Sequence, residues 1–253
     1  MNSRERIIAN IEHKETDIIP VDFGSTRSSG ISAIGYINLK QYLGIHKGSA
    51  RVYDVVQQLA RVEDEILDKF CVDALDVGIV YDEEENWYDF TLPSGYVVQF
   101  PGWFKPTKDE EDNVCAFSKD KTMIAKMNKN SFYFSQTCYP YLDGLPENYD
   151  NLDEALDEVQ WSAIPASPWD QGNINTEDFW RDLRARVIKL RETSDKALLL
   201  DCGCSLFETG TYLRRFDNFL MDLYLSPREV EKFFDVLVDR YLNLLDKVCK
   251  WLG

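Results

Sequence analysis

The chain has 253 residues, of which 44% are hydrophobic and 28% are charged, a composition typical of a globular protein. Its 28 basic and 44 acidic residues give a net charge of −16, which argues against a nucleic-acid-binding surface. No apolar run is long enough to span a membrane, residues 2–14 lack the apolar core of a secretory signal, and the six scattered cysteines are typical of reduced thiols. We therefore expect a cytoplasmic protein.

The first 80 residues alternate predicted helices with predicted strands. Apolar periodicity predicts helices over residues 3–13, 32–43 and 54–70, the last in one or two pieces. The apolar stripe of the first helix is predicted to consist of Ile7, Ile8 and Ile11. Continuous apolar runs predict buried strands over residues 18–23 and 72–80. A polar loop, residues 24–30, separates the first strand from the second helix.

The middle of the chain has a different pattern. From residue 86 to residue 136, apolar residues alternate with polar ones and turn residues recur. Residues 87–92 and 96–100 flank Pro93, Ser94 and Gly95, which predicts a β-hairpin. Three more short antiparallel strands are predicted over residues 114–117, 122–127 and 132–136. We interpret this region as an antiparallel β insertion.

The last third returns to alternating strands and helices. Helices are predicted over residues 151–159, 176–192 and 216–225, with strands over residues 196–201 and near Ser162. A final helix is predicted to begin after Ser226, with Pro227 in its first turn and a capping box closed by Glu229. Its apolar face runs from Val230 to Val248.

Strands followed by helices predict a parallel α/β sheet. About four such strands are present, half of the eight that a closed barrel needs. The fold prediction is therefore an α/β protein that forms one domain over residues 1–253, a (β/α)8 TIM barrel that is incomplete at its C-terminus. The alternative is a complete open α/β sheet. An incomplete barrel exposes apolar surface, so we expect poor solubility or self-association, with a homodimer as one candidate assembly.

The sequence contains no strong catalytic motif, such as a Walker loop, GxSxG or HExxH. The two histidines, His13 and His46, each follow a predicted helix and are interpreted as surface residues, so no histidine-based metal site is expected. Cys202 and Cys204 follow a predicted strand, but zinc needs two further ligands. We interpret these thiols as buried structural residues.

Polar residues at strand ends form the candidate site. Asp22, Asp76 and Asp201 each lie at or near the end of a predicted strand, and in a barrel those ends meet on one face. Each of them singly is explained as a loop cap or a local ion pair, but as a set they predict a site for a small-molecule substrate. The predicted catalytic residues are Asp22, Asp201 and Glu208. The predicted substrate-binding residues are Arg27, Ser28, Asp76 and Tyr212.

Both ends of the chain carry a family resemblance. The opening RERIIANIEHKETDIIPVDFG resembles the start of the uroporphyrinogen decarboxylase-like superfamily. The next block, SGISAIGYINLKQYLGI followed by RVYDVVQQLA, resembles the corrinoid-dependent methyltransferase branch more closely than the true decarboxylases. The stretch from KALLLD to YLNLL is similar to the strand, loop and long helix of family members. The resemblance depends on extended patterns and implies a TIM barrel.

The resemblance implies methyl transfer between a corrinoid protein, as partner, and either tetrahydrofolate or a thiol. Tetrahydrofolate-dependent members hold the pterin with polar groups at the barrel mouth, a role that Asp22, Asp76 and Asp201 match. Thiol-methylating members use zinc held by a His-x-Cys motif and a cysteine, for which only residues beyond Gly253 are available. Uroporphyrinogen decarboxylase is an alternative, although its arginine-rich loop corresponds here to a loop with Arg27 alone. The third hypothesis is that the chain is a catalytically incompetent fragment or a binding module.

Overall fold

The computed structural model describes residues 1–77, 87–118, 121–159, 174 and 176–253. Of Asp157 it describes the backbone alone. The helices are α1 (Ser3–Ile11), α2 (Ala33–Tyr42), α3 (Asp64–Lys69), α4 (Leu152–Val159), α5 (Glu177–Thr193), α6 (Leu206–Arg214), α7 (Phe216–Leu225) and α8 (Pro227–Leu252). The strands are β1 (Ile31–Ser32), β2 (Val52–Asp54), β3 (Leu59–Ala60), β4 (Ala74–Asp76), β5 (Trp87–Thr91), β6 (Val97–Pro101), β7 (Thr107–Lys108), β8 (Val114–Phe117), β9 (Met123–Met127), β10 (Ser135–Gln136) and β11 (Ala197–Leu199). The protein is thus a mixed α/β protein.

The chain divides into two compact units. The first comprises Met1–Lys105, Lys129–Tyr133 and the described part of Ala163–Asp201. The second comprises Pro106–Asn128, Cys202–Gly253 and the described part of Phe134–Ser162. None of the described helices combines the length and the apolar character needed to cross a bilayer.

The first unit contains a parallel strand pair. Strand β11 pairs with β4 in parallel, with Ala197 opposite Ala74 and Leu199 opposite Asp76. This pair confirms the parallel pairing expected from the alternation of strands and helices. The described strands form no closed barrel, so the TIM barrel stays a prediction. The strand predicted over residues 72–80 forms as β4, and its last three predicted residues, 78–80, lie outside the described residues, as does the predicted strand near Ser162.

The predicted β insertion is antiparallel, as expected. Strands β5 and β6 form the predicted hairpin, with Thr91 opposite Val97 next to the turn at Gly95. This hairpin belongs to the first unit, whereas β7 to β10 form an antiparallel sheet in the second unit, in the order β10-β9-β8-β7. The core of the second unit lies between its helices, where Phe219 and Phe233 are completely buried.

The strand predicted over residues 18–23 is wrong. These residues are in no strand, and the side chains of Ile18 and Ile19 are 52% and 85% exposed. Because Pro20 has no N–H to donate, it interrupts any hydrogen-bond ladder here. Val21 is instead held by Asp73. The Val21 N–H donates to Asp73 Oδ2 over 2.9 Å, and the Val21 carbonyl accepts from the Asp73 N–H over 2.7 Å.

The helix predicted over residues 54–70 is correct only in its second half, where α3 forms. The first half is a pair of antiparallel strands, β2 and β3, joined by a turn in which Gln58 has φ +57°. Val52, Tyr53 and Val55 are completely or almost completely buried. β-Branched and aromatic residues favour a buried pleated strand over a helix, and here burial decides the outcome.

Two smaller expectations also fail. Ile8 and Ile11 of α1 are 49% and 70% exposed, and the buried residues of α1 are Arg6 and Ala9. The buried face of the helix therefore contains the charged side chain of Arg6 and not the expected isoleucine stripe. At the start of α8, Pro227 occupies the first turn as predicted, but Ser226 makes no side-chain cap hydrogen bond within the described part of the chain. Its φ and ψ of −135° and 50° depart from the extended conformation typical of an N-cap.

Candidate functional site

A tight turn at Asp22–Ser25 positions Arg27 in the candidate site. Asp22 Oδ1 accepts hydrogen bonds from the Ser25 N–H at 3.2 Å and from the Ser25 hydroxyl at 2.5 Å. This side-chain turn is typical of aspartate. Gly24 has φ +89°, and a Cβ added there would lie 2.8 Å from Val62 Cγ2, so the turn requires glycine. Arg27 then opens a short 3₁₀ turn.

The guanidinium of Arg27 lies between two carboxylates. Its Nε is 3.3 Å from Asp54 Oδ2, and its Nη1 is 3.7 Å from Asp201 Oδ2. The side chain of Arg27 is 20% exposed, that of Asp201 is 31% exposed and that of Asp54 is 2% exposed. The arginine therefore joins a buried carboxylate to one that solvent reaches.

Asp54 is fixed by its own backbone turn. Its Oδ1 accepts from the N–H groups of Val56 and Gln57 at 3.0 and 2.9 Å, and its Oδ2 accepts from Gln57 Nε2 at 3.1 Å. Burial raises the pKa of Asp54, while the hydrogen bonds from Gln57 and the charge of Arg27 act in the opposite direction. The carboxyl group is thus held in one position with its proton affinity increased.

Tyr53 brings a buried phenol to the same place. Its side chain is 1% exposed, and its hydroxyl donates to the Thr26 carbonyl over 3.4 Å. Burial raises the pKa of Tyr53, and the charges of Asp54, Asp76 and Asp22 raise it further while Arg27 opposes them. With its pKa raised, the Tyr53 hydroxyl stays protonated at neutral pH.

Asp76 and Asp201 extend from the carboxyl ends of the parallel pair. Asp76 is the last residue of β4, and Asp201 follows the end of β11 by two residues. Their strands are in register, since Leu199 is opposite Asp76. The ends of parallel strands therefore supply two of the acidic side chains, as predicted. We use the name Arg27 cluster for the set Asp22, Arg27, Tyr53, Asp54, Asp76 and Asp201.

The remaining predicted site residues are Ser28, Glu208 and Tyr212. Ser28 is exposed in the 3₁₀ turn beside Arg27. Glu208 and Tyr212 lie on α6 in the second unit. Glu208 accepts a hydrogen bond from the Ser205 hydroxyl, and the backbone carbonyl of Tyr212 accepts from Gln136 Nε2 at 2.6 Å. Both hydrogen bonds lie within the second unit, and the one from Gln136 joins residues 76 apart in sequence.

The sequence-based prediction missed Tyr53 and Asp54. Asp54 was assigned to the start of a predicted helix and Tyr53 to no element, whereas both belong to the buried strand β2, which Asp54 ends. The signal was present in the run from Val52 to Val56, where four of five residues favour β structure and the fifth is Asp54. A carboxylate buried in such a run is destabilising unless a cation or hydrogen-bond donors pair with it, and here the cation is Arg27.

The cysteine pair also differs from expectation. Cys204 is exposed and Cys202 is partly exposed, so these thiols are not buried. The Cys204 thiol donates to the Cys202 carbonyl over 3.6 Å. Gly203, with φ +61°, forms the turn that brings these two groups together. Among the described residues, no group of three or more His, Cys, Asp or Glu side chains is arranged to hold a metal ion.

No protein-family model, no curated protein and no solved structure matches the chain. The chemistry of the Arg27 cluster is therefore the basis on which its function is inferred.

Proposed function

We propose that the chain belongs to the uroporphyrinogen decarboxylase-like superfamily of (β/α)8 barrels, in its corrinoid-dependent methyltransferase branch. In this proposal the Arg27 cluster binds the pterin ring of tetrahydrofolate, and a corrinoid protein supplies the methyl group. The barrel proposal is supported by the parallel pair β4 and β11, whose carboxyl ends carry Asp76 and Asp201. Barrel enzymes build their active sites at that end of the strands.

The observation that carries the functional proposal is the charge of the Arg27 cluster. Its four carboxyl groups outnumber its one guanidinium, and that guanidinium already faces Asp54 and Asp201. Such a cluster favours a ligand that donates N–H hydrogen bonds. A pterin ring carries an amino group beside a ring N–H, a pair of donors that matches the two oxygens of a carboxylate.

The same charge disfavours a polycarboxylate tetrapyrrole. A ligand with many carboxylates needs several cations to balance it, but Arg27 is the single basic member of the cluster. Decarboxylation of uroporphyrinogen is therefore the weaker alternative. Methylation of a thiol on zinc would need ligands from residues other than those of the cluster, because carboxylates alone do not form the sulfur-rich site that this chemistry uses.

Each residue has a role in the proposal. Asp76 and Asp201 accept the pterin N–H groups, and Arg27 holds Asp201 in position. Asp22, which is exposed at the turn, would accept the N–H proton that the pterin nitrogen gives up when it takes the methyl group, while the electron pair of the broken cobalt–carbon bond would stay on cobalt. Tyr53 stays neutral and orients the loop through Thr26. When bound, tetrahydrofolate supplies the nucleophilic ring nitrogen.

Binding is tested by titrating the protein with tetrahydrofolate in a calorimeter. Asp76→Asn and Asp201→Asn are each expected to weaken binding by about tenfold or more, because each removes a charge-assisted hydrogen bond. The matched control is Glu15→Gln, which neutralises an exposed carboxylate in the same unit and is expected to leave affinity unchanged. Circular dichroism checks that each variant is folded. Absence of tetrahydrofolate binding by the unmodified chain would overturn the pterin assignment.

Turnover is tested by incubating the protein with methylcobalamin and tetrahydrofolate and recording the corrinoid absorption spectrum. Loss of methylcobalamin with formation of methyltetrahydrofolate supports the proposal. Loss of carboxyl groups from uroporphyrinogen in a parallel incubation would favour decarboxylation instead. Methyl transfer to a thiol that requires added zinc would support the methyltransferase branch but would reject the assignment of the Arg27 cluster as a pterin site. No turnover in any incubation would favour a non-catalytic binding module.

A further inference from the structure

The outer face of α8 is apolar in its second half. All residues of α8 are described, and its fully buried members, Val230, Phe233 and Leu237, belong to its first half. Beyond them Val238, Leu242 and Leu245 are 37%, 54% and 37% exposed. Their spacing of four and three residues places them on one face of the helix. We call these three side chains the α8 stripe.

Carboxylates line one edge of the α8 stripe. At about 100° per residue, the three apolar side chains fall within a strip about 60° wide. Asp235, Asp239 and Asp246 follow the same edge of that strip, within about 40° of one another. All three are exposed, and none forms an ion pair in the described part of the chain.

The opposite edge of the stripe is uncharged. It consists of Tyr241, Leu244 and Val248, which are partly buried and continue the direction in which the first half of α8 packs. The stripe is therefore an apolar surface with three carboxylates along one edge and no charge along the other. Lys232 and Lys250 lie just beyond the two ends of the acidic edge. A partner that complements it needs an apolar row with cations along one edge.

We propose that the α8 stripe is a docking surface for a basic amphipathic helix of a partner protein. Helix-in-groove recognition uses apolar anchors spaced three or four residues apart, and here flanking Lys or Arg side chains meet Asp235, Asp239 and Asp246. The apolar row supplies most of the affinity, and the charged edge sets orientation and selects basic over acidic helices. This inference goes beyond the proposed methyl transfer and does not depend on it.

A second copy of the chain is the poorer occupant. Antiparallel pairing about a two-fold axis places the acidic edge of one α8 beside the acidic edge of the other, where like charges repel. Parallel pairing places the acidic edge beside Tyr241 and Leu244, which carry no charge. In neither arrangement does the apolar stripe or the uncharged edge of the second copy supply a cation to the three carboxylates.

The test uses a fluorescent synthetic peptide of about 18 residues, enough for five helical turns. It carries Leu at helical spacing and Lys along one edge, and a control peptide carries Glu in place of Lys. Fluorescence anisotropy with the complete chain is expected to show binding of the Lys peptide that weakens as salt is added. Equal binding of the two peptides, or none of either, would overturn the proposal.

Variants locate the binding surface. Asp235→Asn/Asp239→Asn/Asp246→Asn is expected to weaken binding of the Lys peptide by about tenfold. The matched control, Asp143→Asn/Glu147→Gln/Asp150→Asn, removes the same charge from exposed residues of the second unit and is expected to leave affinity unchanged. Leu242→Gln is expected to weaken binding of the Lys peptide. Because the Leu242 side chain is exposed, this variant is expected to stay folded. Equal effects of the two triple variants on peptide binding would reject the site. The proposal would also be rejected if light scattering showed a dimer of the unmodified chain and a monomer of Leu242→Gln.

Discussion

The guanidinium of Arg6, on α1, forms a buried ion pair with Asp73, the residue immediately before β4. Asp73 Oδ2 also accepts the Val21 N–H at 2.9 Å, and the Asp73 carbonyl accepts the Ala197 N–H at 2.8 Å. One residue thus connects the first helix, the extended segment that leads to the Arg27 loop, and the parallel strand pair. The position of the candidate site depends on this junction.

The Arg6 pair gives the first prediction. Arg6→Met is expected to lower the urea concentration at the midpoint of unfolding, because it leaves Asp73 buried without its cation. Adding Asp73→Asn to Arg6→Met should recover part of the loss, since the double variant buries no unpaired charge. Far-ultraviolet circular dichroism measures both midpoints. If the two changes simply add, the ion pair is not what stabilises the junction.

The contrast between Arg6 and the isoleucines of α1 shows what periodicity can predict. The spacing of Ile7, Ile8 and Ile11 correctly indicated a helix at the start of the chain, because helical spacing is a local property. It did not indicate which face is buried. That choice depends on Asp73, which lies 67 residues away in sequence, and no local pattern reports so distant a partner.

The second prediction concerns the pH dependence that Asp54 introduces. Burial raises the pKa of Asp54 above its ordinary value of 3.8, so the folded protein binds this proton more tightly than the unfolded chain does. Its contribution to stability is present below the ordinary pKa and is lost as pH rises through the raised pKa. The free energy of unfolding of the unmodified protein, minus that of Asp54→Asn, should therefore fall as pH rises from 4 towards neutrality.

Urea titrations at several pH values measure this difference. An increase of the difference with pH would mean that Arg27 stabilises the charged form of Asp54 more than burial destabilises it. Glu15→Gln is the control, since this exposed carboxylate in the same unit is expected to leave the pH dependence almost unchanged.

Gly210 gives the third prediction. A Cβ added at Gly210 would lie 2.2 Å from Cζ of Phe219, whose side chain is completely buried. Gly210→Ala is therefore expected to destabilise the protein by about 1–3 kcal/mol through overpacking. In an exposed helix the same change stabilises by about 1 kcal/mol, so the sign of the effect tests the packing. Thermal or urea unfolding measures it.

A second substitution separates packing from other causes. Phe219→Leu removes the ring atoms that the new methyl group meets, so Gly210→Ala should cost less in the Phe219→Leu background than in the unmodified protein. An equal cost in both backgrounds would show that the ring of Phe219 is not the obstacle.

The sequence was most informative where structure depends on local chemistry. The hairpin of β5 and β6 follows from alternation and from the turn at Gly95, and α7 forms over the predicted residues. The same holds for Asp76 and Asp201, which strand ends alone indicated. Asp54 was not predicted, because its role depends on burial beside Arg27, and that contact joins parts of the chain whose pairing a single sequence does not report.

The fourth prediction concerns Arg27, which joins Asp54 to Asp201. Arg27→Lys keeps the positive charge, but a lysine ammonium cannot extend separate nitrogen atoms towards two carboxylates as the planar guanidinium does. Asp201 then loses its fixed position, and we expect affinity for tetrahydrofolate to fall by about tenfold. If charge alone mattered, Arg27→Lys would bind as well as the unmodified protein and only Arg27→Gln would be impaired. Calorimetric titration of the two variants, with unfolding midpoints measured alongside, distinguishes positioning from simple charge balance.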